Sequence, residues 1–368
     1  MRTTNIGICF GGYCPLHQGH MDVIMRAKKE NDICYVIVCG YDNEPRGWEI
    51  NLNLDQRFEI ISKFFENDEQ IRVVKINDTK LGLDESMSDN NWTIWQKEVK
   101  HLLGNDWIYP DEAHPYEITW YVAEPFYKLS IEKNNVLSAK VVLMDKVNPV
   151  SGTQIRRNPI KYWNKITEPF KPYLCKNILV IGTASEGKST LVKDISRYFD
   201  IPYAEEYGRI YMAANNLRDQ DLTVNDFEAF LKGQCDLSLE KINESKNGLF
   251  ISDTDAAVTL MYALAYVEDD DINLSNDDYD KILLPLAEKI FSKIKWDHIF
   301  IFPPSKEFVN DGCRYMKQAS MDERTKNFIK LQKLVNKYYP EESKTYLIGS
   351  FYENFCNVRD YINKISEE

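Results

Sequence analysis

A chain of 368 residues, 43% hydrophobic and 28% charged, is long enough for two or three domains that each bury a core. Its net charge of -12 excludes a general nucleic-acid or anionic-membrane surface, although backbone N–H groups and a few placed cations can still bind phosphates. Eight cysteines without a C-x-x-C pair support neither a zinc site nor a disulfide framework. There is no secretory signal layout and no apolar run near 18 residues, so the expectation is a cytoplasmic protein with reduced thiols.

In chain order, short apolar runs predict strands at 6–10, 34–39, 71–76, 118–123 and 140–144, then at 178–181, 248–252, 298–302 and 345–348. Amphipathic stretches such as 54–65, 92–103 and 226–242 predict helices between them. This alternation implies an α/β fold with parallel sheets covered on both faces. The segment 168–173 holds two prolines and ends one periodic region, which places the boundary near residue 170 and the domains at 1–170 and 171–368. The acidic stretch 268–280 reads as a solvated surface loop.

The first strand ends in Gly11-Gly12, and Pro15-Leu16-His17-Gln18-Gly19-His20 follows. The glycines let the backbone approach a phosphate closely. Both histidines are expected on the first turn of the next helix, where N–H groups and the positive dipole end also point. Two imidazole donors there can stabilise charge building on a transferring phosphoryl group. Surface or capping histidines are the alternative, which the strand–Gly–Gly context makes the weaker one.

Downstream, Gly182 to Ser189 reads G-T-A-S-E-G-K-S, a match to G-x-x-x-x-G-K-[ST] between an apolar strand and a helix. In such a P-loop the backbone between Gly182 and Gly187 wraps the phosphates. Lys188 reaches the β and γ oxygens, Ser189 holds Mg²⁺, and Thr190 follows in the nucleotide-binding turn. The strand at 248–252 runs into Asp253-Thr254-Asp255. Asp253 fits a carboxylate that orients Mg²⁺ or its waters, and Asp255 fits a helix N-cap. Glu205, Glu206 and Arg209 follow the strand after the P-loop helix, where a carboxylate can hold ribose hydroxyls and take a 5′-OH proton. Glu205 equally fits a solvated helix start, and Asp253 and Glu206 can exchange roles as base. Arg314, after the strand at 298–302, fits either a lid that reaches the transferring phosphate or a plain surface loop.

The N-terminal residues resemble those of the H-x-G-H nucleotidyltransferase superfamily, whose later I-S-x-T-x-I-R motif is matched by Val150-Ser151-Gly152-Thr153-Gln154-Ile155-Arg156. The resemblance implies that His17 and His20 contact ATP phosphates and that Ser151, Thr153 and Arg156 cradle the β- and γ-phosphates at a helix N-terminus. Transfer would then proceed by positioning, without a covalent intermediate. The stretch Asn91-Trp92-Thr93-Ile94-Trp95 resembles the tryptophan-bearing segment of nicotinamide-mononucleotide adenylyltransferases, where an indole stacks on the pyridinium ring. Trp92 and Trp95, at i and i+3, also fit the core face of a helix.

The whole arrangement, with the joining segment 158–163 and the Glu124-Pro125 pair, resembles the NadR family of bifunctional nicotinamide-mononucleotide adenylyltransferase/ribosylnicotinamide kinases. The resemblance implies a Rossmann-like nucleotidyltransferase domain followed by a P-loop kinase domain. The second would phosphorylate nicotinamide riboside with MgATP, and the first would join the mononucleotide (NMN) to AMP from ATP, giving NAD⁺ and pyrophosphate. It implies ATP, nicotinamide riboside, NMN and NAD as ligands and Mg²⁺ as the ion, with no nucleic acid or membrane partner; a homo-oligomer is compatible. Two departures stand out. Asp145-Lys146-Val147-Asn148 replaces a stretch in which family members often carry an arginine, and Asn310-Asp311 replaces a common pair of aspartates. Because the chain begins at the first strand, the helix-turn-helix of some members, with its DNA binding, is expected to be absent. A different small-molecule acceptor, or a non-catalytic nucleotide or NAD sensor, are the competing readings.

Overall fold

The computed structural model describes residues 3–84, 88–105, 116–145, 148–268, 274–305 and 320–367. They fall into two compact units, Met1–Leu174 and Cys175–Glu368.

The first unit alternates β1 (Thr4–Gly11), α1 (Gln18–Glu30), β2 (Ile33–Gly40), α2 (Pro45–Glu49), α3 (Leu54–Phe64), β3 (Ile71–Asn77), α4 (Asp89–Asn105), β4 (Tyr116–Val122), α5 (Pro125–Lys133), β5 (Lys140–Leu143) and α6 (Gly152–Arg157). Its strands pair in parallel in the order β3-β2-β1-β4-β5. Strands covered on both faces read as continuous apolar runs, and Ile6, Ile8, Val36 and Trp120 are fully buried accordingly. The chain lays β1 to β3 outward on one side and then crosses to β4. The direction reverses beside β1, and a crevice opens at the carboxyl end of that strand.

The second unit alternates β6 (Lys176–Gly182), α7 (Lys188–Phe199), β7 (Tyr203–Ala204), α8 (Tyr207–Asn215), α9 (Val224–Asn243), β8 (Leu249–Ser252), α10 (Ala256–Val267), α11 (Asn276–Asp278), α12 (Leu284–Phe291), β9 (His298–Phe302), α13 (Met321–Tyr338), β10 (Lys344–Tyr346) and α14 (Phe351–Glu367). The strands are again all parallel, in the order β10-β9-β6-β8-β7. β6 is central, with Ile178 through Ile181 fully buried, and its carboxyl end is the second switch point.

The expected solvated loop at 268–280 is corrected in part. Ser275 caps α11 in a capping box, and a π-helical turn, Tyr279–Leu283, leads on into α12. Leu274 and Tyr279 are buried, so the described part of this acidic stretch carries apolar contacts that its composition hides, and residues 269–273 lie outside the described residues. The expected strand at 345–348 ends early, because Ile348 is 84% exposed. Among the described residues no helix is long and apolar enough to cross a membrane.

Candidate active sites

At the first crevice β1 delivers Gly11 and Gly12, and α1 begins one turn later. His17 is the N-cap residue of α1 and His20 lies in its first turn, so only the second histidine is helical as expected. The rings stack with centroids 3.7 Å apart and an interplanar angle of 25°. Burial pushes His17 down to about 4. His20 is lowered well below its usual range, by burial and then by the neighbouring imidazole. Both are therefore neutral at pH 7, each supplying one N–H, and an arriving anion would favour their protonation. Their Nδ1 atoms are buried without a hydrogen-bond partner among the described residues.

The cavity above them is also lined by Gly11, Gly12, Ser151, Thr153 and Arg156, so the structure gathers the residues of both N-terminal motifs. Ser151 and Gln154 form a reciprocal capping box that starts α6. Arg156 donates from Nη1 to the Cys14 carbonyl at 2.6 Å and from Nη2 to the Thr153 hydroxyl at 3.3 Å, and it pairs with Glu49. Trp92 is not on the cavity wall. It is 5% exposed and packs edge-on against Phe10 and Tyr127, which do line the cavity. Trp95 belongs to the same buried cluster, so in this structure both indoles sit on the core face of α4. Lys146 lies outside the described residues.

At the second crevice the P-loop joins β6 to α7. Gly182 has φ +148°, and a Cβ there would meet the Phe302 carbonyl oxygen at 2.4 Å. Gly187 has φ +90° and caps α7. Both positions need glycine for conformation and for space. Lys188 donates from Nζ to the Thr183 carbonyl at 2.8 Å. Lys188, Ser189 and Thr190 line a cavity shared with Arg209, Phe351 and Tyr352. The loop's Glu186 is fully buried. It pairs with Arg324 of α13 and accepts from the Ser305 N–H and hydroxyl, each at 3.0 Å.

Asp253, at the end of β8, is 5% exposed. Burial raises its carboxyl to about 6, and Glu206 adds to the rise. Lys188, a hydrogen bond from Ser189 and Arg209 oppose it. Asp255 caps α10, accepting from the Ala257 N–H at 3.0 Å, as its position suggested. Glu206 and Arg209 pair at 2.7 Å and line a cavity with Phe227, Phe230, Tyr262 and Tyr266. Arg209 thus reaches both this cavity and the P-loop cavity. Glu205 lies on neither wall; it pairs with Lys193 at 2.7 Å on the surface, a placement that matches the solvated helix start held open for it. Arg314 lies outside the described residues. Sequence reading missed the aromatic wall, because Phe227 and Phe230 on α9 and Tyr262 and Tyr266 on α10 have the i+3 and i+4 spacing of ordinary core positions. It also missed Arg46 and its partners Glu44 and Arg57 beside Gly12.

Fold and loops together define a tandem of two nucleotide-phosphate-binding α/β domains. The Cytidylyltransferase-like family matches residues 8–158, and the AAA domain family matches residues 177–341. Across both, the chain is a homologue of NadR. It is 26% identical over 326 residues to the trifunctional NAD biosynthesis/regulator protein NadR of Salmonella typhimurium, covering 85% of this chain and 72% of that protein. The Escherichia coli protein of the same name is 25% identical over 322 residues, covering 84% and 71%. A crystal structure of NadR in complex with NR superposes with a TM-score of 0.82 at 28% identity, covering 99% of this chain and 96% of that one. A second NadR structure, with NAD and AMP-PNP, gives the same score and identity, covering 99% and 97%.

Proposed function

We propose that this protein is a bifunctional NAD salvage enzyme. The second domain, taken as residues 171–368, phosphorylates nicotinamide riboside with ATP. The first, taken as residues 1–170, adenylylates the resulting NMN to NAD⁺ and releases pyrophosphate. The observation that carries this reading is the end-to-end likeness to NadR structures holding NR, NAD and AMP-PNP, in a chain where both phosphate loops end a central parallel strand.

In the kinase domain Lys188 takes the β- and γ-phosphates and the P-loop backbone wraps them. The aromatic cavity takes the nucleoside, and Glu206 and Arg209 at its rim orient the ribose 5′-hydroxyl. Asp253 and Ser189 fit a divalent ion: among the described residues Asp253 Oδ1 is buried without a hydrogen-bond partner, and the Ser189 hydroxyl lies beside the carboxylate. Among the described residues no cluster of three His, Cys, Asp or Glu side chains could hold a metal alone. That suits Mg²⁺, which keeps waters and takes phosphate oxygens as ligands. When bound, the ion would neutralise charge on the transferring phosphoryl group.

In the adenylyltransferase domain the neutral His17 and His20 donate to the triphosphate of ATP and become better donors as its charge draws in protons. Ser151, Thr153 and Arg156 hold the distal phosphates, and Gly11 and Gly12 admit them to the backbone. The test is one reaction of purified protein with nicotinamide riboside and excess MgATP, its nucleotides separated by chromatography. NMN should appear first and NAD⁺ after it. A reaction that forms neither overturns the assignment.

A further inference from the structure

The P-loop carries an acid where its chemistry calls for none. Gly182–Ser189 holds one carboxylate, Glu186, directly before the Gly187-Lys188 pair that meets the donor phosphates. Ionised and alone, it would repel the triphosphate that the loop is built to hold. The residue borders the P-loop cavity yet is fully buried, so salt screens its charge little. The protein engages both carboxylate oxygens. Oε1 accepts from Arg324 Nη2 and from the Ser305 N–H at 3.0 Å, and Oε2 accepts from the Ser305 hydroxyl at 3.0 Å. Two separate elements supply these donors. Ser305 follows β9, the neighbour of β6 in the sheet, and Arg324 is the fourth residue of α13.

Arg324 is itself 2% exposed, so the ion pair is sealed as a unit. Such a pair adds little net stability, because desolvation offsets most of the attraction, while removing one partner leaves a bare buried charge. Stability alone therefore explains it poorly, whereas its place under a phosphate loop explains it well. The backbone gives a second observation. Ser185 has φ +65° and Gly187 has φ +90°. Glycine adopts that region freely, but serine keeps it only where its surroundings hold it. Glu186 lies between them, and its ties to β9 and α13 supply that hold. Left-handed turns of this kind aim successive N–H groups to one side, the geometry of an anion cradle.

We propose that Arg324 is a positioning residue of the kinase site. Through Glu186 it cancels the one negative charge built into the phosphate loop and holds the loop's N–H groups open to the donor triphosphate. The inference rests on the kinase reading above. Lys188 and Ser189 remain the groups that meet the phosphates and the ion, and Arg324 acts on them from behind the loop by charge and by anchoring. The same contacts serve both ends, so the electrostatic role and a purely structural one part only when the two charges are changed separately.

The test is steady-state kinase turnover by the full chain, followed as ADP release, with MgATP varied at saturating nicotinamide riboside. Glu186→Gln leaves the pair one positive charge, the double variant Glu186→Gln/Arg324→Gln leaves none, as in wild type, and Arg324→Gln leaves one negative charge. The KM for ATP should follow that order: lowest for Glu186→Gln, near wild type for the double variant and highest for Arg324→Gln. The last should stand about tenfold above wild type, the scale of one unit charge acting at close range inside a protein. The kcat at saturating MgATP should move less than the KM, and adenylyl transfer from supplied NMN should stay at the wild-type level. A pair that only packs predicts otherwise, because both single variants break the same contacts. Equal rises in KM for the two single variants would overturn the proposal, and so would a KM for ATP that none of the three moves. If Arg324→Gln does not fold, the double variant against Glu186→Gln decides, since it removes the same guanidinium. A higher KM in the double variant supports the proposal, and equal values overturn it. Wild-type protein that releases no ADP with nicotinamide riboside overturns the parent reading, and this proposal with it.

Discussion

At the N-terminal loop the buried titratable groups are imidazoles, and burial lowers them; at the C-terminal loop the corresponding group is a carboxylate, and burial raises it. Both loops end the central strand of a parallel sheet, and both lead into a helix that points its N-terminus at the cavity. The difference lies in what each desolvated site needs next. The first holds neutral donors and gains from the negative charge of a triphosphate. The second holds a carboxyl raised to about 6, which a divalent ion would keep ionised. One plan thus serves two chemistries because each strand end buries a different kind of acid or base.

The sharpest way to break this comparison is to disable each loop alone. Lys188→Ala should lower kinase turnover about 10²–10³-fold, the typical loss of one donor aimed at developing charge. Adenylyl transfer from supplied NMN should stay at wild-type level in the same preparation. His20→Ala should do the reverse, with a loss of about 10²-fold in adenylyl transfer and none in the kinase. Loss of both activities from either change in a folded protein would mean that the sites are not separate.

Smaller effects follow from protonation. If Asp253 must be ionised in the free enzyme, kinase kcat/KM should fall about tenfold per pH unit below the midpoint near 6, and a pH profile of that parameter checks it. Raised from 3.8 on folding, the same carboxyl costs stability above about 6, and the cost fades as pH falls towards 3.8. Asp253→Asn should therefore raise the melting temperature at pH 7.5 and lose that advantage by pH 4. His17 has the opposite sign. It is lowered to about 4 from 6.5, so the unfolded chain takes up its proton first, and stability falls as pH drops from about 6.5 towards 4. His17→Gln should flatten that fall, and melting curves of the variant and wild type across this range would show it.

Parallel strands gave themselves away because burial on both faces demands unbroken apolar runs such as Ile178–Ile181. The P-loop was legible because backbone geometry at Gly182 and Gly187 excludes a side chain. Burial and pairing were not. Nothing in the order of residues separates Glu205 from Glu206, yet one is committed to Lys193 and the other faces a cavity. Trp95 reads equally as platform or core and Trp92 reads as platform, yet tertiary packing sets both indoles against Phe10. Arg46 sits in no motif; Glu44, Arg57 and Gly12 give it meaning, and Arg57 and Gly12 come from separate elements of the chain.

The most direct measurement mixes the two disabled proteins. Nicotinamide riboside and excess MgATP are given to His20→Ala, to Lys188→Ala and to an equimolar mixture, and NAD⁺ is followed over time. The account predicts NMN with only trace NAD⁺ from the first, only trace product from the second, and NAD⁺ from the mixture after a lag while NMN accumulates. A mixture that makes NMN but no NAD⁺, although wild type makes both, would contradict two independent sites acting in sequence.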